Sequence, residues 1–131
     1  MTIVVALWLA SLIQLVIAAA NIVVARRLDF RGNLLRLSPI VAQVFTVHAA
    51  YIVAVILWFA LLSLLFASRL ASGDPVMRFL SAGLAAFWGI RLVVQLTVYD
   101  RSVRRQHRVE DVAFLLACIA LTMIYALAAI Q

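Results

Sequence analysis

Four uninterrupted apolar stretches constrain the fold of this chain more than any other feature. Each approaches or exceeds the roughly 20 helical residues that cross a hydrocarbon core of about 30 Å. Strands fit poorly, because the stretches are continuous rather than alternating and a lipid-exposed backbone must satisfy its own hydrogen bonds. The sequence therefore predicts an all-α polytopic integral membrane protein, a single transmembrane domain over residues 1–131 that folds as a four-helix antiparallel bundle. The predicted helices span residues 3–24, 39–67, 75–99 and 112–130.

The composition excludes an ordinary soluble fold. Hydrophobic residues make up 68% of the chain and charged residues 12%, against roughly 45–50% and 25% in soluble domains. The net charge is +6, but the arginines that supply it are concentrated in two short hydrophilic breaks. That distribution indicates a membrane topology signal rather than a nucleic-acid surface.

Local signals predict where three of the helices begin. Ser38 and Asp74 each precede a proline, and proline is favoured at the first helical position. Glu110 and Asp111 place negative charge at the start of the last helix, where the helix dipole favours it. The N-terminus lacks a basic segment before its apolar stretch, so we expect a retained helix rather than a cleaved signal.

The first connection, residues 26–37, has two possible structures. Phe30, Leu34 and Leu37 recur at helical spacing, which indicates a short helix lying along the membrane interface. Gly32 and Asn33 favour a flexible loop instead.

Arginine counts predict the orientation. Arg69 is the only arginine in the second connection, residues 68–74. In an antiparallel chain the first and third connections lie on one side, and the positive-inside rule makes that side cytoplasmic. Both termini are then expected outside, in a cell inner membrane. The arginines of the two connections, which serve topology and headgroup contact, are Arg26, Arg27, Arg31, Arg36, Arg101, Arg104, Arg105 and Arg108.

Arg91 is the most unusual residue, because it lies roughly 12 Å from the cytoplasmic end of the third predicted helix. A charge at that depth is costly unless it is paired or hydrated. His48, in the second helix, has a similar depth of roughly 13 Å. We therefore expect a polar cluster that could bind a ligand, and its members are Arg91, His48, Gln95, Tyr51, Tyr99 and Trp88, with Asn21 and Gln43 nearby.

The acceptor for Arg91 stays open at this stage. No acidic residue lies inside a predicted span, and the nearest ones, such as Asp100 and Asp111, lie in connections or at helix ends. Water, backbone carbonyls, Asp100 or a group from outside the chain could serve. Arg91 and Gln95 could have a structural hydrogen-bonding role, contact another subunit or bind a ligand. His48 could form an interhelical hydrogen bond or ligate a haem, a chlorophyll or a metal.

Small residues predict one close helix contact. Ser81, Ala85 and Gly89 recur at intervals of four, which is the small-xxx-small pattern of tightly packed membrane helices.

Cys118 is the single cysteine, so neither a disulfide nor a cysteine-based zinc site is expected. It shares a face with Thr122 and Tyr125, for which we expect packing with hydroxyl bonds to the helix backbone.

These features favour a small accessory or structural subunit that packs against partner membrane proteins or against itself. The alternative is a membrane-embedded site for an anionic lipid, quinone-like or porphyrin ligand, centred on Arg91 and His48. A small membrane enzyme is less favoured, because no second titratable group is available for acid-base chemistry. No catalytic residue, metal site or specific cofactor is predicted, and the motifs are too short to indicate a family.

Overall fold

A computed structural model describes residues 2–27, 29–99 and 101–131, with the side chains of all of these except 101–103. Within these ranges the chain is helical, without strands, and four of the helices are long and apolar enough to cross a membrane. This confirms the predicted all-helical class and the predicted number of helices that are long and apolar enough to span a membrane. The helices are α1 (Ile3–Arg27), α2 (Phe30–Leu34), α3 (Pro39–Leu65), α4 (Ala67–Leu70), α5 (Pro75–Thr97), α6 (Arg101–Gln106) and α7 (Arg108–Ala129).

The two proline signals give the helix starts correctly, but their caps differ. Before α5, the Asp74 carboxylate accepts hydrogen bonds from the backbone N–H of Val76 at 2.9 Å and of Met77 at 3.2 Å. Before α3, Ser38 makes no side-chain cap bond. The helix start at Pro39 therefore relies on proline geometry.

The last membrane-spanning helix starts four residues earlier than the predicted boundary at residue 112. α7 begins at Arg108, so Glu110 and Asp111 lie inside its first turn rather than before it. The helix dipole favours negative charge there.

The first connection contains a short helix, α2. The Asp29 carboxylate accepts a hydrogen bond from the backbone N–H of Gly32 at 3.2 Å, and Asp29 itself adopts a left-handed φ of 45°. A Cβ atom at Gly32 would overlap the Asp29 carboxylate, so a side chain at this position would displace that carboxylate from its capping position. The helical alternative for this segment is thus the one observed, while its position along a membrane interface stays a prediction.

α1 is the most enclosed of the long helices. In its most apolar window of 18 residues, 39% are buried, against 17% in the corresponding windows of α3 and α5. α1 packs against α3, α4 and α7, whereas α5 packs mainly against α7. The core between them includes the fully buried side chains of Leu7, Leu70, Trp88, Leu121 and Tyr125.

Hydrogen bonds between helices join the beginning of one helix to the end of another. The Ser11 hydroxyl, early in α1, donates to the carbonyl of Ala60, late in α3, at 2.8 Å. Arg78, early in α5, donates through Nε to the carbonyl of Ala129, the last residue of α7, at 2.9 Å. A cation on these terminal carbonyls also complements the dipole of α7.

Candidate functional site

A buried chain of hydrogen bonds joins three long helices, from the middle of α1 to positions near the ends of α3 and α7. Gln14 of α1 donates through Nε2 to the hydroxyl of Tyr125 on α7, and that hydroxyl also bonds to the Ser63 hydroxyl of α3. Ser63 donates its own hydrogen to the carbonyl of Phe59 at 2.9 Å. Since Ser63 has only one hydrogen to give, Tyr125 must be the donor in the bond between the two hydroxyls.

The three side chains of this network are fully buried, and of their polar atoms only the Gln14 side-chain oxygen lacks a hydrogen-bond partner among the described residues. Polar groups in an apolar interior are costly when unpaired, so the chain of bonds fixes the relative register of α1, α3 and α7. Neither Gln14 nor Ser63 was among the residues predicted from the sequence. The signal was available, since each is a polar residue inside an apolar stretch.

A second network surrounds Arg91 on α5. Arg91 donates through Nη1 to the Gln95 side-chain oxygen at 3.1 Å, and Gln95 donates through Nε2 to an Asp111 carboxylate oxygen at 2.6 Å. Arg104 pairs with the other Asp111 oxygen at 3.0 Å. The acceptor for Arg91 is therefore Gln95, one turn further along its own helix. Gln95 was not among the four acceptors expected from the sequence. Asp100, one of those four, lies outside the described residues.

Two aromatic rings flank the Arg91 guanidinium. Its central carbon lies 4.7 Å from the ring centroid of Phe114 and 5.4 Å from that of Tyr99. Cation–π contacts of this kind stabilise a cation most when water is excluded. Of the predicted polar cluster, Arg91, Gln95 and Tyr99 are thus brought together.

A cavity of about 60 Å³ lies beside Arg91, with Asn21, Ile52 and Trp88 also among its lining residues. Trp88 is only 1% exposed, and its indole N–H has no hydrogen-bond partner among the described residues. A water molecule occupies about 30 Å³ in the liquid, so the cavity has room for one or two water molecules. The Trp88 N–H is therefore an unsatisfied donor that the protein encloses, in a side chain that lines the same cavity as Arg91.

His48 and Tyr51 do not join this cluster. His48 is exposed and its Nδ1 bonds to the Val44 carbonyl of its own helix at 2.8 Å, while Tyr51 is 70% exposed. α3 buries the face that carries Ile56 and Ser63 instead, which leaves His48 and Tyr51 on its outer side. The expected neighbourhood of Arg91 and His48 is not formed in this structure.

The small-residue face of α5 lies against α7. Ser81 is fully buried and Ala85 is half-buried, while a Cβ atom at Gly89 would lie 3.7 Å from the Thr122 methyl group of α7. Thr122 donates its hydroxyl to the Cys118 carbonyl at 2.7 Å, which is the backbone bond expected for this face.

The two arginine-rich connections lie close together at one point. Arg27, at the end of α1, lies 3.7 Å from the Glu110 carboxylate, and both side chains are exposed. Glu110 also contacts Nδ1 of His107 at 2.8 Å. The Arg101 side chain lies outside the described residues, whereas the other seven arginines are exposed or, in the case of Arg104, half-buried.

Comparison of the chain with protein-family models, with curated proteins and with solved structures gives no match in any of the three. Within the described ranges, no three His, Cys, Asp or Glu side chains come close enough together to hold a metal ion. The geometry of the helices and of the polar groups between them therefore carries the functional argument.

Proposed function

We propose that this chain is a small multi-pass membrane protein that acts as an accessory or structural subunit. It packs through the outer face of α3 against a partner membrane protein or a second copy of itself. The observation that carries this proposal is the exposed imidazole of His48, roughly 13 Å from the start of α3.

The outer face of α3, defined by Val44, His48, Tyr51 and Trp58, has little cover from the rest of the chain. Tyr51 is 70% exposed and Trp58 is 66% exposed. The Nδ1 atom of His48 bonds to its own helix, and its Nε2 has no partner within the described residues. Lipid tails offer no hydrogen bonds, so a second protein helix that supplies a donor or acceptor would stabilise this face.

We further propose that the four long helices form an antiparallel bundle in a cell inner membrane, with both termini outside. The helix-to-helix bonds from Ser11 to Ala60 and from Arg78 to Ala129 support this arrangement. The contact between Arg27 and Glu110 supports a common side for the arginine-rich connections. By the positive-inside rule, that side is cytoplasmic.

Site-directed photo-crosslinking tests the proposed packing face. A benzophenone amino acid replaces Tyr51 in one variant and Leu116, which is 62% exposed on α7, in a matched control. Irradiation of intact membranes should give a crosslinked product from position 51 and much less from position 116. Mass spectrometry of the product then distinguishes a dimer of this chain from a complex with another membrane protein.

A substitution at His48 completes the test. His48→Leu keeps the face apolar but removes the ring nitrogens, so it should reduce crosslinking from position 51 severalfold. A strictly monomeric particle in native mass spectrometry, together with equal or absent crosslinking at both positions, would contradict the proposal.

A further inference from the structure

An open groove lies between the second half of α1, α2 and the first half of α3. Its volume is about 780 Å³, and its apolar wall includes Ile22, Ala49, Ala50 and Val53. That volume lies within the roughly 300–1,000 Å³ typical of small-molecule sites. The groove therefore has room for a substantial part of an amphiphilic molecule.

The end of the groove near α2 is basic. Arg26 and Arg31 both line it, and neither forms an ion pair with any described residue. Asp29 also lines the groove, but its carboxylate is bonded to the Gly32 N–H as a helix cap. The two guanidinium groups have no ion-pair partner and outnumber the single carboxylate of Asp29, so this end of the groove favours an anion. Arginine can bind a phosphate through two parallel hydrogen bonds.

The groove continues towards the cavity beside Arg91. Asn21 and Ile52 line both spaces, so the two adjoin each other. Trp88 and Arg91 line that inner cavity, but the Trp88 N–H is fully buried and Arg91 already donates to Gln95. From Arg26 to Asn21 the rise along α1 is about 7.5 Å, so the groove extends inward from its basic end.

We propose that this groove binds one anionic phospholipid. Its phosphate lies against Arg26 and Arg31, and an acyl chain follows the apolar wall between α1 and α3. A charged group followed by hydrocarbon is the order along a phospholipid, and the groove presents a basic end followed by an apolar wall. The proposal is independent of the packing function, because the groove does not involve His48 or Tyr51.

Native mass spectrometry of the full chain in detergent tests the site. Micelles are supplied with phosphatidylglycerol or with phosphatidylcholine of identical acyl chains. One phosphatidylglycerol per chain should be retained in clear preference to phosphatidylcholine. Arg26→Gln combined with Arg31→Gln should lower that retention by about tenfold or more, since each arginine contributes to anionic lipid binding.

A matched control distinguishes lipid binding in the groove from general attraction of anionic lipid to the basic connection. Arg27→Gln combined with Arg36→Gln removes the same charge from the same connection, but neither residue lines the groove. This control should change retention by less than about twofold. Equal retention of the two lipids by the unaltered chain, or equal losses in the two double variants, would overturn the proposal.

Two single variants test the interior of the groove without altering charge. Ala49→Leu and Ala50→Leu each fill part of the apolar wall. Each should lower phosphatidylglycerol retention severalfold while the helical circular dichroism stays unchanged. Full retention in both variants would mean that the lipid does not occupy this groove.

Discussion

Gln14 and Tyr125 share a hydrogen bond at the buried centre of the four long helices, although 111 positions separate them in the chain. Each is fully buried, and Tyr125 continues the connection to Ser63. In a protein whose helices have apolar surfaces on most sides, hydrophobicity alone does not specify which helix faces meet. This bonded trio supplies specificity that the apolar contacts lack.

The first prediction concerns the Tyr125 hydroxyl. Tyr125→Phe leaves the Gln14 amide and the Ser63 hydroxyl without a shared partner in an apolar interior. We expect the free energy of unfolding to fall by about 1–2 kcal/mol, the range of interhelical hydrogen bonds in membranes. Unfolding in mixed detergent and SDS micelles, followed by circular dichroism, measures the change.

The control for this prediction is Tyr99→Phe. The Tyr99 ring contacts Arg91, but its hydroxyl makes no described hydrogen bond, so the substitution keeps the ring and removes nothing that is bonded. Its effect should stay within about 0.5 kcal/mol. Equal losses for the two tyrosines would mean that the buried trio does not stabilise the fold.

The second prediction concerns the contact between α5 and α7. Gly89→Ala should be tolerated, because the new Cβ would lie 3.7 Å from the Thr122 methyl group, which is an ordinary contact. Gly89→Leu has no such room and should destabilise the protein by about 1–3 kcal/mol through overpacking.

Gly83 provides the matched control on the same helix. A Cβ at Gly83 would meet nothing within 4 Å, so Gly83→Leu should leave stability unchanged or raised, given the higher helix propensity of leucine. The same SDS titration compares the variants. A Gly89→Leu protein as stable as Gly83→Leu would show that the two helices do not pack closely at this position.

The third prediction concerns the carboxylate that links the second network. Asp111→Asn removes the charge that pairs with Arg104, and the Asp111 side chain is only 10% exposed. We expect a loss of about 1–2 kcal/mol. Glu110→Gln, on a neighbouring carboxylate that is 58% exposed, should cost less than about 0.5 kcal/mol. A double-mutant cycle with Arg104→Gln would reveal whether the loss belongs to that pair, and additive effects would contradict it.

Helix number and helix starts were predictable because they depend on local chemistry. Apolar length identifies the spans, and the prolines at 39 and 75 mark two starts without reference to any distant residue. The bond between Arg91 and Gln95 is also local, since residues four apart share a helix face, but Gln95 was not among the acceptors expected for Arg91. Its extension to Asp111 was not predicted, because it depends on how α5 meets α7.

The direction in which His48 points could not be predicted from the sequence. Similar depth along two helices placed His48 and Arg91 at one level, but it does not determine how each helix is rotated about its axis. In α3 the buried face carries Ile56 and Ser63, and His48 lies to one side of it. The groove at Arg26 and Arg31 could not be predicted from the sequence either, because it arises from the spacing between helices rather than from any motif.

Substituted-cysteine labelling tests the proposed topology most directly. Cys118 is buried, so Cys118→Ala provides a background in which Arg36→Cys, Ser72→Cys and Arg105→Cys are introduced singly. A membrane-impermeant thiol reagent applied to intact cells should label position 72 and leave positions 36 and 105 unlabelled until the membrane is opened. Labelling of positions 36 and 105 from opposite sides would contradict the arrangement of four antiparallel helices on which both proposed surfaces depend.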